Sequence, residues 1–152
     1  MADDGSHRTA VITPDANTLQ ARLGALRDGL LTLLANWQTD PTLAVIERGF
    51  TAPLKGATAG PSATKLGMAQ GVLIVALWDV ATPVMLVSPS TAKKHATGKG
   101  NAAKPAVLDA AVSRLGFQPT ASTLKRVQVQ DYDRADALWL AHYGWQEQRK
   151  QQ

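Results

Sequence analysis

Apolar residues recur along this chain with two periods. Leu19, Leu23, Leu26, Leu30, Leu33 and Trp37 are spaced by four and three, which puts them on one face of a helix. Asn17 and Gln20 fit a capping box at its start. The stripe is long enough to serve a core, a partner helix or both. A second helix is expected over about 61–80. Pro61 suits its first turn, where the missing N–H is not needed, and Gly67 and Gly71 allow a close backbone approach on one face. A third helix carries Val107, Leu108, Ala111, Val112 and Leu115 on one side and stops at Gly116. The last runs from about Tyr132 to Gln146.

The strands are short apolar runs between these helices. HRTAVIT (7–13) alternates loosely and reads as a strand. TLAVIE (42–47) follows the turn TDP and is too short for a helix, so it reads as a buried strand. PVMLVS (83–88) is a third. TAPLKGATAGPS (51–62) is loop-like. Residues 89–105 begin as a short turn or helix and become a glycine-containing basic loop, and LKRVQVQ (124–130) is extended or irregular. The order is strand–helix–strand–helix–strand–helix–helix, which predicts an α/β fold with a largely parallel sheet. In such sheets functional groups gather at the carboxyl ends of strands, and Glu47 stands at one.

Composition adds bounds. A chain of 152 residues, 45% of them apolar, suits one globular domain, expected over 7–148 between polar tails at 1–6 and 149–152. Without cysteine there are no disulfides and no thiolate-bound zinc. The longest apolar stretch, GVLIVALW (71–78), is far too short to span a bilayer, and the acidic, polar start does not suit a secretory signal. A cytoplasmic protein is the expectation. The net charge is only +4, but its placement is uneven. No acid falls between Asp79 and Asp109, and Lys93, Lys94, Lys99 and Lys104 all do. That pattern fits a solvated surface and equally a polyphosphate partner.

The acids are more specific. DYDRADALW (131–139) sets Asp131, Asp133 and Asp136 at a helix start, with 133 and 136 on one face. Taken singly, each is explained by the helix dipole. Taken with Glu47, Asp133 and Asp136 are hard oxygen donors suited to Mg²⁺ or Mn²⁺. TGKGNAAK (97–104) lacks the register of a phosphate-binding P-loop, though its glycines and lysines suit contact with phosphodiester oxygens. His7, His95 and His142 show no metal-binding spacing and are expected in surface or packing roles. No serine sits in G-x-S-x-G, and Trp78, Trp139 and Trp145 fall on predicted helices as core candidates.

In order, VIERGF, SATKLGMAQGVLIVAL, PVMLVSPSTAKKHATGKGNAAKPAV and DYDRADALWLAHYG resemble the RuvC-type Holliday junction resolvases of the RNase H-like superfamily. The resemblance covers about His7 to Gly144. It implies an RNase H-like three-layer α/β fold with a largely parallel central sheet, shortened at its N-terminus because the family's first two strands, one of them carrying a catalytic aspartate, have no counterpart. It implies metal-binding and catalytic roles for Glu47, Asp133 and Asp136, with Lys104 acting beside them. Lys93 matches a family lysine at the active site or the phosphate, and Phe50 matches an aromatic that stacks on bases near the junction centre. Arg48, Lys94 and Lys99 join Lys93, Lys104 and Phe50 as expected DNA contacts. The implied function is a Mg²⁺- or Mn²⁺-dependent endonuclease on four-way junctions, with forks and flaps as further substrates, working as a homodimer. Two rivals remain. One is a branched-DNA-binding protein with weak or no cleavage for want of the first aspartate. The other is a helical interaction protein that uses the 19–37 stripe.

Overall fold

The computed structural model describes residues 6–38, 41–49, 61–120 and 129–151. Contacts divide the chain into two units, residues 12–86 and a second built from residues up to 11 together with those from 87 onward.

In the first unit, α1 (Leu19–Trp37) packs against α2 (Pro61–Asp79). The N-cap of α1 is Thr18, whose hydroxyl accepts from Ala21 N at 3.2 Å, so the capping residue lies one position after the expected Asn17. Its leucine stripe is at most half-buried, and no residue of α1 is fully buried. Gly29 is required here, because a Cβ at this position would lie 2.7 Å from a methyl of Ile12. Residues 7–13, expected as a strand, form no ladder; the segment is irregular, and Ile12 packs on α1 instead.

The strands β1 (Ala44–Glu47) and β2 (Val84–Val87) form a parallel pair, joined by α2 as the crossover. It is the one sheet among the described residues. The expected strands at 42–47 and 83–88 are thus present, though β1 is half-buried rather than buried and ends on an exposed Glu47. After α2 the chain turns through Ala81 in the left-handed region (φ 55°), with Thr82 N–H donating to Leu77 O at 2.9 Å.

The second unit is helical. α3 (Pro89–Thr97) starts at Ser88, whose hydroxyl accepts from Thr91 N at 3.1 Å. It ends at Gly98, held at φ 80°, where a side chain would be strained. α4 (Lys104–Leu115) stops at Gly116 with φ 66°, as the sequence predicted. α5 (Val129–Arg149) is longer than expected at both ends: residues 129–131, assigned to an irregular run and the approach to the helix, form its first turn, and the expected polar tail begins inside it. Val107, Leu108 and Ala111 of α4 meet Ala135, Leu138 and Trp139 of α5, with Ala96 and Phe117 completing a closed core. The indole N–H of Trp139 donates to Val107 O at 3.2 Å, so this fully buried ring is also polar-satisfied. Trp139 therefore fills the core role expected of it. Trp78 does not; its residue is 78% exposed on α2.

Candidate functional site

The second turn of α5 carries the acids. α5 begins at Val129, so Asp131 lies in its first turn and the helix dipole accounts for an acid there. Asp133 and Asp136 lie beyond that turn, where the dipole has faded, and need another explanation. They share one helical face, which is the solvent-facing one. Asp133 is exposed and Asp136 half-buried, whereas Ala135 and Leu138 on the other face are buried.

Lys104 comes to this face from α4. Its Nζ lies 3.4 Å from Asp133 Oδ1, both side chains being more than half exposed. Such an exposed pair contributes at most about 1 kcal/mol, so either partner can be exchanged for a ligand at little expense. Lys104 is also the first residue of α4, whose N-cap Ala103 makes no side-chain capping bond. A cation at an uncapped helix N-terminus is disfavoured by the dipole. The arrangement suits an anion arriving from outside.

Asp136 feels the whole group. Its carboxyl is pushed above the ordinary aspartate range, first by burial and then by the Asp133 charge, while Lys104 and Lys93 pull it back. Asp133, Asp136, Lys104 and Lys93 are therefore one electrostatic cluster. Lys93 is half-buried on α3, and Lys94 and Lys99 are exposed nearby in sequence. The glycines of the basic loop serve the fold. Gly98 ends α3, and a Cβ on Gly100 would come within 3.2 Å of Ser90 O.

Glu47 and Arg48 belong to the other unit, exposed at the carboxyl end of β1. Gly49 behind them is buried and donates its N–H to Gln70 Oε1 of α2 at 2.8 Å. That bond pins the strand's exit on α2 and leaves Glu47 on a rigid element. Phe50 lies outside the described residues. Among the described residues, no group of three or more acidic or imidazole side chains is gathered to hold a metal ion. The two aspartates fit part of such a site: both are hard oxygen donors on one face, and burial disfavours the Asp136 charge, which a bound cation would offset.

Two features were not foreseen. His95 Nε2 and His142 Nδ1 lie 2.8 Å apart, linking α3 to α5, with His142 stacked edge-on to Trp139. Both rings hold their proton less readily than a free imidazole, first because of burial; Arg114 adds to this in both, and each ring's positive neighbours oppose a second charge. Separated by 47 positions, they carried no spacing signal. The other feature is Arg134, which bonds Asp131 Oδ1 at 2.9 Å. Here the sequence held a cue, since Asp and Arg three apart pair on a helix.

The parallel β–α–β unit and the helices that follow it make this an RNase H-like α/β protein. The family described as "Crossover junction endodeoxyribonuclease RuvC" matches residues 7–142, and the chain belongs to that family. The RuvC of Pelobacter propionicus is 30% identical over 132 residues, covering 87% of this chain and 66% of that protein. The RuvC of Chlamydia trachomatis serovar L2 is 54% identical over 46 residues, covering 30% of this chain and 27% of its own. These matches span about two thirds or less of the curated relatives' length. The solved Thermus thermophilus RuvC shares the fold, with a TM-score of 0.62 at 23% identity over 86% of this chain and 72% of that one.

Proposed function

We propose that this chain is a metal-dependent, structure-selective endonuclease that hydrolyses phosphodiesters in four-way junctions and related branched DNA. The observation that carries this reading is the grouping of Asp133 and Asp136 with Lys104 and Lys93 in a chain of the RuvC family. A Thermus thermophilus RuvC of the same fold has been solved in complex with a Holliday junction substrate, which supports the choice of DNA.

Asp133 and Asp136 would hold Mg²⁺ or Mn²⁺, and the family resemblance assigns Glu47 as the third carboxylate. A bound divalent cation supplies polarisation of a phosphate oxygen and a more acidic water. Lys104, released from its weak pair with Asp133, would meet phosphate oxygens as charge builds on them, with Lys93 beside it. Lys94, Lys99 and Arg48 would contact backbone, so that shape rather than sequence selects the substrate. Phe50 is assigned to base stacking, worth roughly 1–3 kcal/mol. A homodimer would place two sites about a two-fold axis, suited to paired nicks. Met68, Val75 and Trp78, spaced by seven and three on α2 and 45%, 55% and 78% exposed, offer an apolar stripe for a second copy. No helix among the described residues is long and apolar enough to cross a membrane, and we place the protein's work in the cytoplasm, with its DNA.

The test uses a labelled four-way junction and a linear duplex of matched sequence with Mg²⁺ or Mn²⁺. Cutting restricted to the junction and lost in Glu47→Gln and Asp136→Asn is expected. Cutting that survives both substitutions would remove these residues from the chemistry. A second reading is that of a branched-DNA-binding protein with little cleavage. Junction binding with no cut product at any metal concentration would establish it.

A further inference from the structure

The buried side of the same helix carries a clamp. Asp131 is completely buried in the first turn of α5. Its Oδ1 accepts from Thr120 N at 3.0 Å, from Thr120 Oγ1 at 2.9 Å and from Arg134 Nη1 at 2.9 Å. Arg134 Nη1 also donates to Thr120 Oγ1 at 2.9 Å, and its Nε donates to Thr9 Oγ1 at 3.0 Å. The guanidinium lies 4.9 Å from the centre of the buried Phe117 ring. Three separate pieces of chain, the N-terminal segment, the connector after α4 and the start of α5, therefore meet at one ion pair.

We propose that Asp131 and Arg134 are positioning residues for the Asp133–Asp136 carboxylate pair. The inference rests on the reading of that pair as the metal-binding face. At 100° per residue, 131, 134, 135 and 138 point one way and 133 and 136 the other. A fixed network on the inner side sets the rotation of the helix about its axis. That rotation decides where the outer carboxylates aim. Hydrophobic contacts at Ala135 and Leu138 are non-directional and tolerate small rotations. An ion pair with directed hydrogen bonds on a planar guanidinium does not. A buried charge pair is weak evidence for stability alone, which leaves geometric specification as its use here.

The experiment measures Mn²⁺ binding to the full chain by the loss of the free-ion electron paramagnetic resonance signal, alongside thermal melting. Wild type is expected to take up Mn²⁺, and Asp136→Asn to lose it. Asp131→Asn and Arg134→Gln are expected to weaken Mn²⁺ binding about tenfold while remaining folded, the range seen when residues behind metal ligands are changed. Arg134 is partly solvent-accessible, so Arg134→Gln decides the matter if Asp131→Asn does not fold. Val107→Ala is the structural control: it loosens the same core, lowers the melting temperature and is expected to leave the Mn²⁺ affinity within about twofold. Wild-type affinity in folded Arg134→Gln, or an equal loss in Val107→Ala, would overturn the positioning role while leaving the metal site intact. Absence of any Mn²⁺ uptake sensitive to Asp136→Asn would remove the metal site first and the positioning role with it.

Discussion

Helices α5 and α1 are of similar length, and they are used in opposite ways. α5 buries Ala135, Leu138, Trp139 and Leu140, together with a paired aspartate. α1 buries no residue fully, and its neighbour α2 leaves Leu66 53%, Val75 55% and Trp78 78% exposed. A closed core with directed polar bonds holds side chains in register, which chemistry at an acid–lysine face demands. An open apolar surface holds nothing in register on its own but gives a partner something to bury. In the proposed function residues 87–151 supply Asp133, Asp136 and Lys104 to a site that also needs Glu47 of β1, and the α1–α2 pair carries the surface proposed for a second copy.

The contrast can be broken at its strongest point first. Trp139→Ala removes a fully buried ring and its bond to Val107 O, and is expected to cost about 3–5 kcal/mol in urea unfolding. A cost under about 1 kcal/mol would show that the core is not closed. Acid is expected to act next, through His95 and His142. Both folded-state values lie below the free value of 6.5, so above pH 6.5 neither state is charged and the pair's contribution is complete. As the pH falls through 6.5 the unfolded chain takes up protons that the folded rings refuse, and stability declines until the lowered folded values are passed. Melting temperature should therefore drop between pH 7 and pH 5, and the drop should shrink in His95→Gln; a flat profile, or one unchanged by the substitution, contradicts the pairing.

Trp78→Ser sharpens the other side of the comparison. It is expected to change monomer stability by no more than about 0.5 kcal/mol, the surface range, while sedimentation shifts from dimer toward monomer. A loss as large as that of Trp139→Ala would mean that the exposed ring is core after all. The smallest stability effect is expected for Asp136→Asn. Burial and Asp133 disfavour its charge more than Lys104 and Lys93 favour it, so the metal-free variant should melt slightly higher, although cutting is expected to be lost. A lower melting temperature would show that the charge stabilises the fold.

Much of this arrangement was legible from periodicity. The stripe at 107–115 and the stop at Gly116 follow from helical spacing and from glycine's access to positive φ. The acids were legible from the shared helical face of Asp133 and Asp136, and the lysines from the acid-free stretch between Asp79 and Asp109; only the fold shows that these acids lie beyond the first turn of α5 and that Lys104 opens α4. What the sequence hid was tertiary. HRTAVIT alternates like a strand, yet its isoleucine is used to fill the space above Gly29. Val129 and Gln130 look extended, and the helix claims them because Asp131 anchors its first turn. Trp78 scans as core because apolar spacing cannot say which side of a helix finds a neighbour. The His95–His142 bond joins positions with no shared period at all.

The central claim is that Asp133 and Asp136 bind a divalent cation beside Lys104. Anomalous X-ray scattering from crystals grown with Mn²⁺ measures this directly. A manganese peak bonded to oxygens of both aspartates, at about 2.1 Å, is the predicted result. Ordered aspartate side chains with no peak between them, in crystals holding manganese elsewhere, would contradict it.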